Sequence, residues 1–170
     1  MLMVKNGDLG KMSLLFERYH QPLFTYLFHQ TGKQEESEDL VQTVFYIMLK
    51  KRHSFSADGI FRAWMYQIAR NTMINSVKKN NRMVYKETLP ENETGFIEAD
   101  VEKDIEKKEK NLQLQNALAR LPADQKEVLI LSKYQELPYK EIATILKTTE
   151  ANVKVKVFRA VQELKKLYKK

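Results

Sequence analysis

The sequence predicts an all-α chain of two small helical domains joined by an acidic linker, the C-terminal one containing a helix-turn-helix. Gly and Pro number only 5 and 4 in 170 residues, which depletes turn-formers and favours long helices. Apolar residues recur at three- and four-residue spacing through both ends of the chain. Charge falls in blocks: 12 basic and 7 acidic side chains over 1–83, 5 and 9 over 84–110, and 12 and 6 over 111–170. Two basic segments therefore flank an acidic middle.

In the first block, "SLLFERYHQPLFTYLFHQ" places Leu14, Leu15, Tyr19, Leu23, Tyr26 and Leu27 on one helical face. "TGKQ" has capping-box form, with Thr31 and Gln34 three apart. Glu35, Glu36, Glu38 and Asp39 then enrich the opening turns of the next helix in negative charge, as the helix dipole favours. Leu40, Val41, Val44, Phe45, Met48 and Leu49 form its apolar face. A polar loop, "KKRHSFSADG", leads to "IFRAWMYQIARNTMINSVKKNNR", whose apolar side carries Phe61, Trp64, Met65, Ile68, Ala69, Thr72 and Met73. Lys78, Lys79 and Arg82 crowd its C-terminal end.

The acidic middle holds Pro90, Gly95 and few apolar residues and reads as a linker. Fully extended it reaches about 90 Å at roughly 3.3 Å per residue, so two domains on it can sit apart on one extended partner. The second block opens with "LQLQNALARL", a helix ending near Pro122, and continues with "DQKEVLILSKY" and the short helix "LPYKEIATILK".

"TTEANVKVKVFRAV" alternates Val153, Val155 and Val157 as a strand would, but the alternation fails after Phe158. At roughly 100° per residue, Val153, Val157, Ala160, Val161, Leu164, Leu167 and Tyr168 fall within an arc of about 120°, the width of a core-facing stripe. The segment is therefore predicted as a helix. Its outward face carries Ala151, Asn152, Val155, Phe158, Arg159 and Gln162, flanked by Lys154 and Lys156. Amide, cationic and apolar groups suit base edges in a major groove, and lysines suit phosphates. Thr149 is the expected N-cap. A solvated basic face is the plain alternative.

The net charge of +7 points to a polyanionic partner. Hydrophobic residues make up 43% of the chain, too many for wholesale disorder. Cys is absent, which excludes disulfides and thiolate metal sites. No apolar run approaches the roughly 20 residues of a membrane span, and the first residues read as no signal peptide. A cytoplasmic protein without membrane insertion is expected. His20, His29 and His53 lack ligand-like spacing with acids, and no Gly-rich phosphate loop or catalytic constellation stands out. A non-enzymatic protein without cofactor or metal is expected.

Both halves carry a resemblance. "ALARLPADQKEVLILSKYQELPYKEIATILKTTEANVKVKVFRAVQELKKLY" resembles the promoter-binding C-terminal domain of bacterial sigma factors. "EDLVQTVFYIMLK" followed by "FRAWMYQIARNTMINSVKKNNR" resembles their polymerase-binding and −10-reading domain. The ordered pair, joined by a linker, is similar to the extracytoplasmic-function (ECF) subgroup of the sigma-70 family. The chain departs from the family pattern in three places: Lys147 stands where the turn usually has Gly, Asn75 where an acid is usual, and Val155 where a small polar residue is common.

The resemblance implies a region 2-like domain over 8–83, an acidic linker over 84–110 and a region 4-like domain over 111–170. It implies promoter-specific transcription initiation, with core RNA polymerase (the clamp of the largest subunit and the flap of the second) and promoter DNA as partners. By this resemblance Asp39, Leu40, Gln42, Phe45 and Tyr46 serve polymerase binding. Asp39, Gln42 and Tyr46 are expected outward, with Leu40, Val41, Val44 and Phe45 packing inward. The −10 element falls to Phe55, Arg62, Trp64, Tyr66, Arg70, Asn71, Ile74, Asn75, Lys78 and Lys79, with the loop His53–Gly59 as a pocket for a flipped base. Trp64 lies on the apolar face and reads as core before base contact, and Phe55 as the better exposed aromatic, with burial as its alternative. The −35 element falls to Thr149, Glu150, Ala151, Asn152, Lys154, Val155, Lys156 and Arg159. The resemblance also implies that, free of polymerase, the domains mask each other or are held by an anti-sigma factor. Two rival readings use the same residues differently: a stand-alone DNA-binding regulator working through its C-terminal half, and a helical adaptor with no nucleic-acid role.

Overall fold

The structure, a computed structural model, describes residues 1–84 and 113–168. The expected linker, 84–110, lies outside these residues save for Val84. No strand occurs among the described residues, and no helix among them is long and apolar enough to cross a membrane.

The N-terminal half comprises α1 (Leu2–Lys5), a 3-10 turn at Leu9–Lys11, α2 (Met12–Thr31), α3 (Gln34–Lys50), a 3-10 turn at Arg52–Ser54 and α4 (Phe61–Val84). α2, α3 and α4 pack around Leu23, Tyr26, Leu27, Val44, Met48 and Met65, all fully buried. Burying each such side chain is worth about 1.5–3 kcal/mol, so this three-helix core is what holds the faces of α3 and α4 in place. Leu14, expected inward, is exposed; it sits in the first turn of α2, before that helix meets its neighbours.

The expected capping box between α2 and α3 does not form. Thr31 is the last residue of α2, which stops at Gly32, φ +73°, a left-handed conformation that glycine adopts without Cβ strain. α3 begins at Gln34 from an extended Lys33. The Thr31 hydroxyl accepts the Lys33 N–H at 3.2 Å and lies 2.8 Å from the Ser37 hydroxyl, so it serves the α2–α3 turn instead.

The C-terminal half comprises α5 (residues 113–119), α6 (Ala123–Leu129) running into a π turn at Ile130–Tyr134, α7 (Tyr139–Leu146) and α8 (Glu150–Tyr168). The π turn closes with Gln135 N–H donating to Ile130 C=O at 3.0 Å. It buries Ile130 and Leu131 together while swinging Tyr134 and Gln135 toward the N-terminal half.

The two halves do not stand apart. α4 packs along α7, and α2 meets the π turn. One continuous hydrophobic core includes Tyr26, Tyr66, Leu131 and Ile142.

Candidate nucleic-acid and polymerase interface

α8 is a helix of 19 residues, and its stripe is the one the periodicity predicts: Val153, Val157 and Ala160 are buried, with Val161, Leu164 and Leu167 half-buried behind them. Tyr168, assigned to that stripe, is exposed. Thr149 caps the helix, its hydroxyl accepting the Asn152 N–H at 3.2 Å. Asn152 Nδ2 donates to the Thr148 hydroxyl at 3.2 Å, which fixes the amide at the mouth of the helix.

Thr149, Glu150, Ala151, Asn152, Lys154, Val155 and Arg159 are all exposed. Lys156 is half-buried and engaged: its ammonium lies 3.3 Å from the Asp124 carboxylate. It differs from the free phosphate-binding lysine expected, because α6 brings an acid beside it. Phe158, on the outward face but outside the predicted site, is 66% exposed beside Val155 at 46%, so the face is partly apolar.

The turn before α8 is built on strain. Lys147 adopts φ 52°, ψ 50°, the left-handed conformation usually filled by glycine. Thr148 N–H donates to Ala143 C=O at 2.9 Å and Lys147 N–H to Thr144 C=O at 3.4 Å, so the end of α7 is satisfied in the ordinary left-handed pattern without the ordinary residue.

On α3, Asp39, Gln42 and Tyr46 are exposed at three- and four-residue spacing and share one face. Tyr46 is 64% exposed, with the Lys50 ammonium 6.0 Å from its ring centre. Leu40 and Phe45, included in the docking set but expected inward, are buried and hold the face from beneath.

The −10 set divides. Asn71, Asn75, Lys78 and Lys79 are exposed from the middle of α4 onward, and Ile74 is half-buried among them. Phe55 is buried, with its ring centre 5.3 Å from that of Trp64 and 6.0 Å from that of Phe61. Phe55 takes the buried alternative, the loop folding its aromatic onto the start of α4, and Trp64 is half-buried against it.

Arg62, Tyr66 and Arg70 point from α4 into the C-terminal half, where each has a partner. Arg62 donates to Glu141 Oε1 at 2.7 Å, the Tyr66 hydroxyl to Gln135 Oε1 at 2.6 Å, and Arg70 Nε to Glu127 Oε1 at 2.8 Å. The Tyr26 hydroxyl donates to the same Glu127 oxygen at 3.1 Å, and Gln67 donates to Thr144 C=O at 2.7 Å. The exposed −10 surface expected at residues 62, 66 and 70 is therefore occupied in this arrangement. Burial, with the Glu127 carboxylate beside it, pushes the Tyr26 hydroxyl well above its ordinary value; burial also raises Tyr66. Both phenols thus stay protonated and act as donors at neutral pH.

Glu127, Gln135 and Glu141 lie outside the residues that the sequence marks as a site. One signal was available: Glu127 and Glu141 each precede a β-branched core residue, Val128 and Ile142, in a helix whose other inward positions are apolar. A buried acid needs a cation from elsewhere. Among the described residues no group of His, Cys, Asp and Glu is arranged to hold a metal ion.

Residues 15–83 match the family described as Sigma-70 region 2, and residues 111–164 match Sigma-70, region 4. The chain is 34% identical over 154 residues to the RNA polymerase sigma factor YlaC of Bacillus subtilis, covering 89% of this chain and 88% of that one. It is 30% identical over 155 residues to the ECF RNA polymerase sigma factor SigM of the same organism, covering 91% and 93%. In fold it is similar to the sigma factor RpoE of Bartonella quintana, solved in complex with the anti-sigma factor NepR, with a TM-score of 0.79, 24% identity, and coverage of 92% of this chain and 96% of that one. Two matched regions in the expected order, with relatives alike along nearly the whole length, establish that this chain belongs to the ECF subgroup of the sigma-70 family of RNA polymerase sigma factors.

Proposed function

We propose that this sigma factor divides promoter recognition between two faces, a free −35 face on α8 and a −10 face on α4 that is released only on opening. α8 enters the major groove of the −35 element, with Asn152, Val155 and Arg159 toward base edges and Lys154 toward phosphate. α3 docks on the clamp of the polymerase largest subunit through Asp39, Gln42 and Tyr46, and the C-terminal domain meets the flap of the second subunit. The loop at His53–Gly59 and α4 from Arg62 to Lys79 hold the non-template strand of the −10 element. Domain limits of 8–83, 84–110 and 111–170 go with this division. The chain acts by binding, in the cytoplasm; the chemistry of RNA synthesis belongs to the polymerase.

One observation carries the reading: α8 buries Val153, Val157 and Ala160 while leaving Asn152, Lys154, Val155 and Arg159 in solvent on a capped helix after a short turn. That exposure is what a recognition helix needs in order to read a major groove. The −10 cations are different. Arg62 and Arg70 are paired with Glu141 and Glu127, so single-stranded DNA and the C-terminal half compete for them, and the chain as folded here is a closed form. An anti-sigma factor that binds across both halves would hold it closed; the RpoE chain that it resembles was solved in complex with an anti-sigma factor.

The test is run-off transcription with purified bacterial core polymerase and a randomised promoter library. The reading expects enrichment at two separated elements, and loss of holoenzyme formation with Asp39→Arg. Binding of duplex DNA without core, unaffected by Asp39→Arg, would favour a stand-alone regulator instead.

A further inference from the structure

Residues 1–14 lie outside both matched regions, yet they fold against the loop assigned to the −10 element. α1 is a single turn packed on the Arg52–Ser54 turn. Val4 is fully buried there. The Lys5 ammonium donates to the Phe55 carbonyl at 2.6 Å, the one hydrogen bond between side chain and backbone joining this segment to the loop among the described residues.

That carbonyl is a pivot. Phe55 is the buried foot of the loop, held by Phe61 and Trp64. Beyond it Ser56, Ala57, Asp58 and Gly59 are all exposed, and the loop is closed by Gly59 N–H donating to Ser56 C=O at 3.0 Å. A side chain at Gly59 would come within 3.1 Å of the Ser56 carbonyl oxygen, so the turn is already tight. The Lys5 ammonium, a charged donor on the Phe55 oxygen, restrains rotation of the peptide plane between Phe55 and Ser56.

We infer that the N-terminal segment is a strap that sets the shape of the −10 loop, with Lys5 as the positioning residue that acts through the Phe55 carbonyl. A loop held in its binding shape before DNA arrives loses less freedom on binding. A base placed in it is then judged against one fixed set of polar groups rather than against many. The inference rests on the assignment of His53–Gly59 to the −10 element and adds a determinant that lies in no matched region.

The experiment uses the full chain in holoenzyme and compares open-complex formation on a preferred promoter with that on promoters carrying single −10 or single −35 substitutions. Lys5→Met is expected to reduce discrimination at one −10 position by about fivefold to tenfold. Discrimination at −35 and affinity for core stay as in the parent, and Lys5→Arg restores most of the loss. Equal losses on every promoter, or no change in −10 discrimination, would overturn the strap. Ser56→Ala and Asp58→Ala are run alongside. If these shift −10 preference while Lys5→Met does not, the strap alone is wrong; if neither loop variant shifts it, the loop assignment falls and takes the strap with it.

Discussion

Arg70 of α4 donates its Nε–H to Glu127 Oε1 of α6 at 2.8 Å, across 57 positions of sequence. The acid is nearly buried and the guanidinium half so, with side-chain exposures of 10% and 33%. A carboxylate in that position without its cation would be costly, and Tyr26 adds a second donor to the same oxygen. The Arg62–Glu141 pair repeats the arrangement nearer the loop, with the arginine 40% exposed and the pair therefore weaker. The same two arginines are the ones proposed to hold −10 DNA.

Glu127→Gln combined with Glu141→Gln should open the closed form. Each change removes a charge-assisted hydrogen bond, worth about 1–3 kcal/mol where partly buried. The double variant should show a larger radius in small-angle scattering, and it should bind a single-stranded −10 oligonucleotide several-fold more tightly than the parent. An unchanged radius together with unchanged oligonucleotide affinity would show that these pairs do not hold the halves together.

Mild acid should weaken the fold through His29. Its ring is buried on α2, 4.3 Å between centroids from Tyr134 of the π turn, with the Lys126 ammonium nearby. Burial lowers its pKa below the ordinary 6.5; a hydrogen bond with Gln115 opposes this in part, and Lys126 adds to it. The unfolded chain therefore takes up the proton first. Stability from this group is complete above pH 6.5 and is lost as pH falls from there through the lowered folded value. The urea midpoint of the parent should drop over that window, and less so in His29→Gln; equal pH slopes in the two proteins would remove His29 from the account.

Lys147→Gly should stabilise the C-terminal half. A side chain in the left-handed region costs about 1–2 kcal/mol; glycine removes that cost but gives back about 0.4–1 kcal/mol of unfolded-state entropy. The exposed Lys147 side chain contributes little packing. The net expectation is about 0.5–1 kcal/mol of added stability, read as a higher urea midpoint at unchanged slope. A lower midpoint would mean that the lysine makes a contact worth more than the strain.

Asn152→Ala and Lys154→Ala should separate base reading from phosphate binding on α8. Lys154→Ala should weaken binding on all promoters and reduce the salt slope by about one unit. Asn152→Ala should cost roughly 1–3 kcal/mol on the best −35 sequence and relax preference there. Losses of equal size on all sequences for Asn152→Ala would leave it as a partner of Thr148 only.

Periodicity carried the sequence a long way wherever a helix has one wet face and one dry one. The stripe through Val153, Val157 and Ala160 separates α8 from a strand, and Leu40, Val41, Val44 and Phe45 orient α3 so that Asp39, Gln42 and Tyr46 face out. Local chemistry did worse at turns. Thr31 has the spacing of a capping box, but α2 simply runs on to include it before Gly32 breaks the helix.

What the sequence by itself determined is the longer helices and the outward chemistry of α3 and α8, together with the family that the ordered pair of segments resembles. The helix faces follow from residues within about ten positions of one another, where spacing alone says which side chains share a face. Only the tertiary structure decided that Phe55 is buried, that the N-terminal segment reaches its carbonyl, and that Arg62, Tyr66 and Arg70 are taken by Glu141, Gln135 and Glu127. Those partners lie 50 to 79 positions away. A half-wet helix face looks the same in sequence whether water, DNA or another domain covers it, and only the packing of one half on the other distinguishes them.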